Sequence, residues 1–336
     1  MKKGIILCSI PLLFSLWAFI CTEYISLDYP NYFPQPAYDF NKNPLRKESI
    51  ELGRALFYEP MLSRDGSITC ESCHLQFTSF THVDHQLSHG IDNRIGNRNS
   101  PVLVNLAWQK DLMWDGSVHH LDVQALAPIE NPLEMDEKLP NVVKKLQSNT
   151  KYKAMFAQAY GDSIVTGERL LKAMSQFMLT LVSANAKYDK VKRNEATFNE
   201  YEIKGYEIFK KNCNSCHSEP LFTNNKFENN GLLPDTNLRD IGRMKVTLNK
   251  NDSLKFKVPT LRNIELSYPY MHDGRFRNLQ MVVFHYNDDI HRSTTLAEQL
   301  KKPMNMSEDD KRNLIAFLKT LTDENFARNQ KYGFPK

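Results

Sequence analysis

The chain opens with Lys2-Lys3 and an apolar run from Gly4 to Ile20, and only then turns polar. Further on, apolar residues recur at the spacing of one helix face from Ser49 to Phe57, and a matching segment runs from Glu202 to Phe209. Leu170, Met174, Phe177, Met178 and Leu181 form one later stripe, and Leu314, Phe317, Leu318 and Leu321 another. The last of these is preceded by Ser307 and Asp310, the spacing of a helix N-cap. Residues 28–44 are rich in Tyr, Pro and Asn without helical period and predict an extended arm. The polar stretch from Lys187 to Asn199 predicts a hinge. Strand signals are few. The pattern predicts a mostly α protein with long loops, in two halves at 45–192 and 193–336.

The N-terminal run, within residues 1–27, fits a signal-peptide core or a short membrane anchor. Cys21 offers a lipid attachment point, although Ile20 stands where a lipoprotein signal carries a small residue. Both readings predict export, and hence a periplasmic protein that is soluble or N-terminally anchored. A length of 336 residues allows two domains of ordinary size, each able to bury its own core. Lys and Arg number 43 against 39 Asp and Glu, a balance that gives no case for nucleic acid. Of six cysteines, Cys8 lies in the apolar run and Cys21 directly after it. The other four are committed elsewhere, so the folded part has none for a disulfide.

Those four form Cys70-Glu71-Ser72-Cys73-His74 and Cys213-Asn214-Ser215-Cys216-His217. Each is C-x-x-C-H, the attachment pattern of a c-type haem. Two thiols three residues apart on one turn can form thioethers to one porphyrin, and the adjacent His reaches its iron. No further Cys pair exists to complete zinc sites. Two covalent haems follow, with His74 and His217 as iron ligands. The recurrence of a helix before each motif predicts two cytochrome c-like haem domains. Lys210 and Lys211 beside the second motif offer a docking point for an acidic partner.

Between the motifs run Gly96-Asn97-Arg98-Asn99-Ser100-Pro101, Leu112-Met113-Trp114-Asp115-Gly116 and Ile129-Glu130-Asn131-Pro132-Leu133-Glu134-Met135. After the second come Lys257-Val258-Pro259-Thr260-Leu261-Arg262-Asn263 and Pro269-Tyr270-Met271-His272-Asp273-Gly274. These blocks, in this order from about residue 45 to the C-terminus, closely resemble the bacterial di-haem cytochrome c peroxidase and MauG family. The resemblance implies that His74 serves the peroxidatic haem and His217 the electron-transfer haem. It implies that Trp114 lies between the haems, and that Glu134, with Gln124 as amide companion, is the distal acid. Such an acid takes a proton from one peroxide oxygen and returns it to the other. The family also holds a calcium ion, which on this chain implies the Asn99 side chain and the carbonyls of Ser267 and Pro269 as ligands.

Two positions depart from the commonest pattern. Members that need reductive activation carry a distal His where this chain has Ile91, which cannot ligate iron; His82, His85 and His89 share that loop as substitutes. Typical peroxidases carry a Met where this chain has Tyr286, as MauG-like members do. Met271, Met281 and His285 compete with it. A phenolate oxygen is a harder donor than a thioether and favours higher iron oxidation states. The expected function is an exported c-type peroxidase reducing hydrogen peroxide with electrons from a small cytochrome c or a cupredoxin. One alternative is a MauG-like enzyme that uses peroxide to oxidise residues of a partner protein. A second is a non-enzymatic di-haem electron carrier. Dimers are common in the family, so a homodimer is compatible with the resemblance.

Overall fold

A computed structural model describes residues 24–335. The apolar N-terminal run lies outside the described residues, as do Cys8 and Cys21. No helix among those described is long and apolar enough to cross a membrane. The fold is mostly helical, as the apolar periodicity predicts. Its helices are α1 (Lys47–Phe57), α2 (Leu121–Gln124), α3 (Leu126–Glu130), α4 (Leu139–Gln147), α5 (Thr150–Tyr160) and α6 (Gly167–Leu179), then α7 (Lys187–Lys192), α8 (Glu200–Asn212), α9 (Met244–Thr247), α10 (Leu279–Asp288), α11 (Glu308–Lys319) and α12 (Glu324–Ala327). A short antiparallel pair, β1 (Phe227–Glu228) with β2 (Phe256–Lys257), is the one sheet among the described residues.

Two helix crossings carry the architecture, and both are made at a glycine. A Cβ on Gly53 of α1 would stand 1.9 Å from the Ala173 carbonyl oxygen of α6. One on Gly205 of α8 would stand 1.9 Å from the Asn313 carbonyl oxygen of α11. Only a residue without a side chain lets the backbones approach this closely. One turn beyond each glycine a phenylalanine packs on the crossing helix: Phe57 on Phe177 with ring centroids 5.4 Å apart, and Phe209 on Phe317 at 5.1 Å. Ser307 caps α11 reciprocally with Asp310, as its spacing predicts.

Each crossing seeds a separate apolar core. The first gathers α1, α5 and α6, and the second gathers α8, α10 and α11. The C-terminal tail returns to the first: the Tyr58 hydroxyl donates to the Tyr332 carbonyl at 2.8 Å, and Phe80 packs edge-on against Phe326. The arm at 28–44 has no regular helix or strand, in line with its composition, but it is no free linker. Phe33 is buried within the first core, and Trp108 Nε1 donates to the Pro34 carbonyl at 2.7 Å.

The first part of the expected polar hinge is helical and partly buried. Residues 187–192 form α7, whose Tyr188 and Asp189 are completely buried. Both Asp189 oxygens accept from the Arg262 guanidinium at 2.9 Å, and the Tyr32 hydroxyl donates to Asp189 at 2.8 Å. The lysines of this stretch face outward and dominate its composition, which hides two inward-facing residues.

Candidate functional site

The first attachment turn follows α1 by a loop. It is closed by Cys73 N–H donating to the Cys70 carbonyl at 3.2 Å. Beyond it the chain doubles back through Ser79 and Phe80, both with left-handed φ, at 64° and 58°. That reversal aims the Phe80 carbonyl at His74, whose Nδ1 donates to it at 2.8 Å. A carbonyl can only accept, so the proton is fixed on Nδ1 and Nε2 keeps its lone pair. Burial pushes His74 down to about 4, so the ring is neutral at ordinary pH.

The second turn extends α8 directly, with His217 N–H donating to the Cys213 carbonyl at 2.9 Å. Here Phe222 takes the left-handed φ, 55°, and His217 Nδ1 donates to the carbonyls of Phe222 at 3.3 Å and Pro259 at 3.1 Å. Burial again depresses the imidazole, to about 4. The thiols of Cys70 and Cys213 are pushed up to about 12 by burial, and Cys73 to about 11. Each turn thus presents two neutral thiols and one neutral imidazole with a free ring nitrogen, the donor set that a covalently attached haem requires. A large, mostly apolar cavity lies against the second turn, lined by Cys213, Cys216 and His217 and extending to Trp114. The residues present fit the group.

The surroundings of the two turns differ. Near the first, the Glu134 carboxylate is close enough to disfavour ionisation of both Cys70 and Cys73. Burial raises Glu134 above the usual carboxylate range, while Asn131 Nδ2, donating to its Oε1 at 2.7 Å, opposes the shift. The loop at Ile91 is fastened to this segment. Ile91 N–H donates to the Glu134 carbonyl at 2.8 Å, and a Cβ on Gly90 would meet the Leu133 carbonyl. Ile91 itself is completely buried. His82, His85 and His89 stack on one another, with centroids 5.1 and 4.0 Å apart, and none lines the main cavity.

Around the second turn, Tyr286 of α10 lines the cavity, and its phenol is pushed up to about 12 by burial, with a hydrogen bond to Asn230 opposing the shift. Of its competitors, Met281 is 41% exposed and His285 donates from Nε2 to the Asn230 carbonyl at 3.1 Å. Neither lines the cavity. Met271 does, and its sulfur accepts from Asn230 Nδ2 at 3.3 Å. Asn230 also acts on the Tyr286 hydroxyl, so one amide serves both candidates.

Trp114 lines the same cavity, its Nε1 donating to the Asn99 carbonyl at 2.8 Å and its own carbonyl accepting from Lys257 N–H at 2.7 Å. Gln124 lines it too, with Nε2 3.8 Å from the Met113 sulfur. Glu134 is not among the lining residues, so the sequence-predicted pair of Glu134 and Gln124 is not joined by this cavity. Asn99, Ser267 and Pro269 all line it. Asn99 Nδ2 donates to the Gln86 carbonyl at 2.9 Å. No group of three His, Cys, Asp or Glu among the described residues is arranged to hold a metal, so any ion here would rest on amide and carbonyl oxygens.

Sequence reasoning assigned no role to Asn131, Asn230 or Lys257. Asn131 and Lys257 stand inside the quoted blocks, but nothing in their spacing told of their partners. Asn230 has no motif at all.

Two short-helix cores, each presenting a C-x-x-C-H turn with a back-bonded histidine, define a di-haem c-type protein. Comparison with known proteins gives the family. Residues 47–197 match the family described as di-haem cytochrome c peroxidase, and residues 203–322 match cytochrome c. The methylamine utilization protein MauG of Methylophilus methylotrophus is 33% identical over 308 residues, spanning 87% of this chain and 86% of that protein. The cytochrome c551 peroxidase of Nitrosomonas europaea is 35% identical over 286 residues, 84% of this chain and 82% of that one. A solved MauG-like protein associated with microbial copper homeostasis superposes with a TM-score of 0.84 at 28% identity, covering 93% of this chain and 99% of the other. The chain belongs to the di-haem cytochrome c peroxidase and MauG family. It is an oxidoreductase of the cytochrome c peroxidase type, carrying c-type haems.

Proposed function

We propose that the chain is an exported enzyme that reduces hydrogen peroxide at its first haem and draws electrons from a small cytochrome c or cupredoxin. The observation that carries this reading is the asymmetry of the two attachment turns. A buried carboxyl stands near the first, on a segment tied to Ile91 where related enzymes carry a ligating His. When bound, the haem supplies the iron at which the O–O bond breaks and a store for the oxidising equivalents. The protein supplies the rest. Burial raises Glu134 above the usual carboxylate range and favours its protonated form, so it can take a proton from one peroxide oxygen and return it to the other. Asn131 orients that carboxyl. Trp114 offers an oxidisable ring on the wall of the cavity that reaches the second turn. Tyr286 lines the same cavity as His217 and would offer its phenol oxygen to the iron of a haem held there, and Gln124 an amide in that cavity. Asn99, Ser267 and Pro269 would hold a calcium ion through amide and carbonyl oxygens, with the Asn99 amide oriented by Gln86.

The test is electron paramagnetic resonance of the resting protein together with peroxide turnover. A high-spin haem and rapid oxidation of a reduced small cytochrome are the expected results. Two low-spin haems and no reaction with peroxide would leave only an electron carrier. A second reading, oxidation of residues on a partner protein, is favoured by Tyr286 in the cavity where typical peroxidases carry Met. Slow turnover with every small redox donor, alongside peroxide-dependent oxidation of a partner, would select it.

A further inference from the structure

Lys257 is the one lysine or arginine that lines the cavity joining Trp114 to the second attachment turn. It reaches the cavity from β2, and its ammonium group donates to Gln109 Oε1 and, at 3.0 Å, to the Asp111 carbonyl. Both acceptors are neutral. An ammonium has three donors, and two are accounted for among the described residues. The Asp111 carboxylate favours the charged lysine from a distance but does not pair with it, accepting instead from His119 Nδ1 at 2.7 Å. Taking a cation out of water without a directly paired anion is costly, and burial pulls Lys257 down to about 8, with the Asp111 charge only partly opposing the shift. A site for haem must also accommodate carboxylates, since the porphyrin carries two propionates.

We propose that Lys257 is the counter-cation for a haem propionate in this cavity. It completes a charge pair that the polypeptide leaves half made. Because Lys257 N–H donates to the Trp114 carbonyl, the propionate is also linked through two residues to the indole wall of the cavity. Lys257 is thus a positioning residue: it fixes the porphyrin edge beside Trp114 and adds a positive charge that favours reduced iron. The inference rests on the presence of haem and not on the peroxide activity.

The experiment uses the full holoprotein and three variants, Lys257→Gln, Lys257→Met and Lys257→Arg. Its readouts are the midpoint potentials of both haems by spectroelectrochemistry and the propionate bending bands by resonance Raman. Both neutral variants are expected to lower the potential of one haem and shift its propionate band, while Lys257→Arg keeps the potential. If all three match the parent protein, or if Lys257→Arg falls with the neutral variants, the lysine only anchors β2 and the proposal is overturned. If neither neutral variant retains haem, Lys257→Arg decides: a parental potential supports the pairing, and a lowered one overturns it. Failure of peroxide turnover in the parent protein would sink the proposed activity and leave these measurements intact.

Discussion

The two halves of the molecule solve the same mechanical problem in the same way and then part company above the iron ligand. In each, a glycine lets two helices touch backbone to backbone, a phenylalanine one turn on seals the crossing, and a left-handed phenylalanine turns its carbonyl to the histidine. In the first half the next neighbour is the Glu134 carboxyl, fastened to the Ile91 loop. In the second it is a cavity walled by Tyr286 and Met271. The features that differ all lie on segments outside the helix crossings: the loops at 89–91 and 131–134 in one case, α10 in the other. The frame that holds a haem can therefore be kept while the chemistry over it changes.

The sharpest way to break the comparison is Glu134→Gln. The peroxide reaction should slow by roughly 10²–10⁴-fold, the usual contribution of a positioned acid–base group, with the spectrum of the second haem unchanged. Stopped-flow mixing with peroxide checks this, and an unaltered rate would mean the halves do not differ chemically through this carboxyl. Next in size is Arg262→Met, which strands Asp189 without its partner. A loss of about 3–5 kcal/mol in chemical denaturation is expected. Gly53→Ala and Gly205→Ala should each cost about 1–3 kcal/mol, since a methyl must be forced against a carbonyl. Unequal losses would show that one crossing yields where the other does not. Asn131→Ala should cost about 1 kcal/mol of orientation at Glu134, seen as a several-fold slower peroxide step.

The smallest effect is in pH dependence. Glu134 has a folded pKa raised by burial, so below the ordinary carboxylate range both folded and unfolded forms hold the proton and nothing is lost. As pH rises through that range the unfolded form releases its proton first, and stability declines until the folded pKa is passed. Denaturation midpoints of the parent should therefore fall relative to Glu134→Gln across that window. Parallel curves would show that the carboxyl is not held in a desolvated place.

Much of this was legible in the sequence, for physical reasons that can be traced. The periodic segments before each motif became α1 and α8, because amphipathic spacing reports a buried face whatever the tertiary partner. The Ser307 cap was equally local. The arm was rightly expected to lack helix, but nothing local announced that Phe33 enters a core or that Trp108 bonds to the arm backbone. Charge composition averages over faces, so the polar stretch at 187–199 did not announce that α7 buries Tyr188 and Asp189. At the site, covalent attachment was readable because it depends on spacing alone. The partners of Glu134 and Lys257 were not, since Ile91 and Gln109 come to them from distant parts of the chain.

The buried contact of Asp189 and Arg262 has a consequence for how the molecule comes apart. Three stretches remote in sequence converge on it: the arm through Tyr32, helix α7, and the segment after the second attachment turn. Separating the halves would strip the Tyr32 hydroxyl and the Phe33 ring, both of the first core, from a buried ion pair that lies against the second. The two cores should accordingly melt as one cooperative unit, with absorbance changes at both haems and the far-ultraviolet signal following a single superimposable transition.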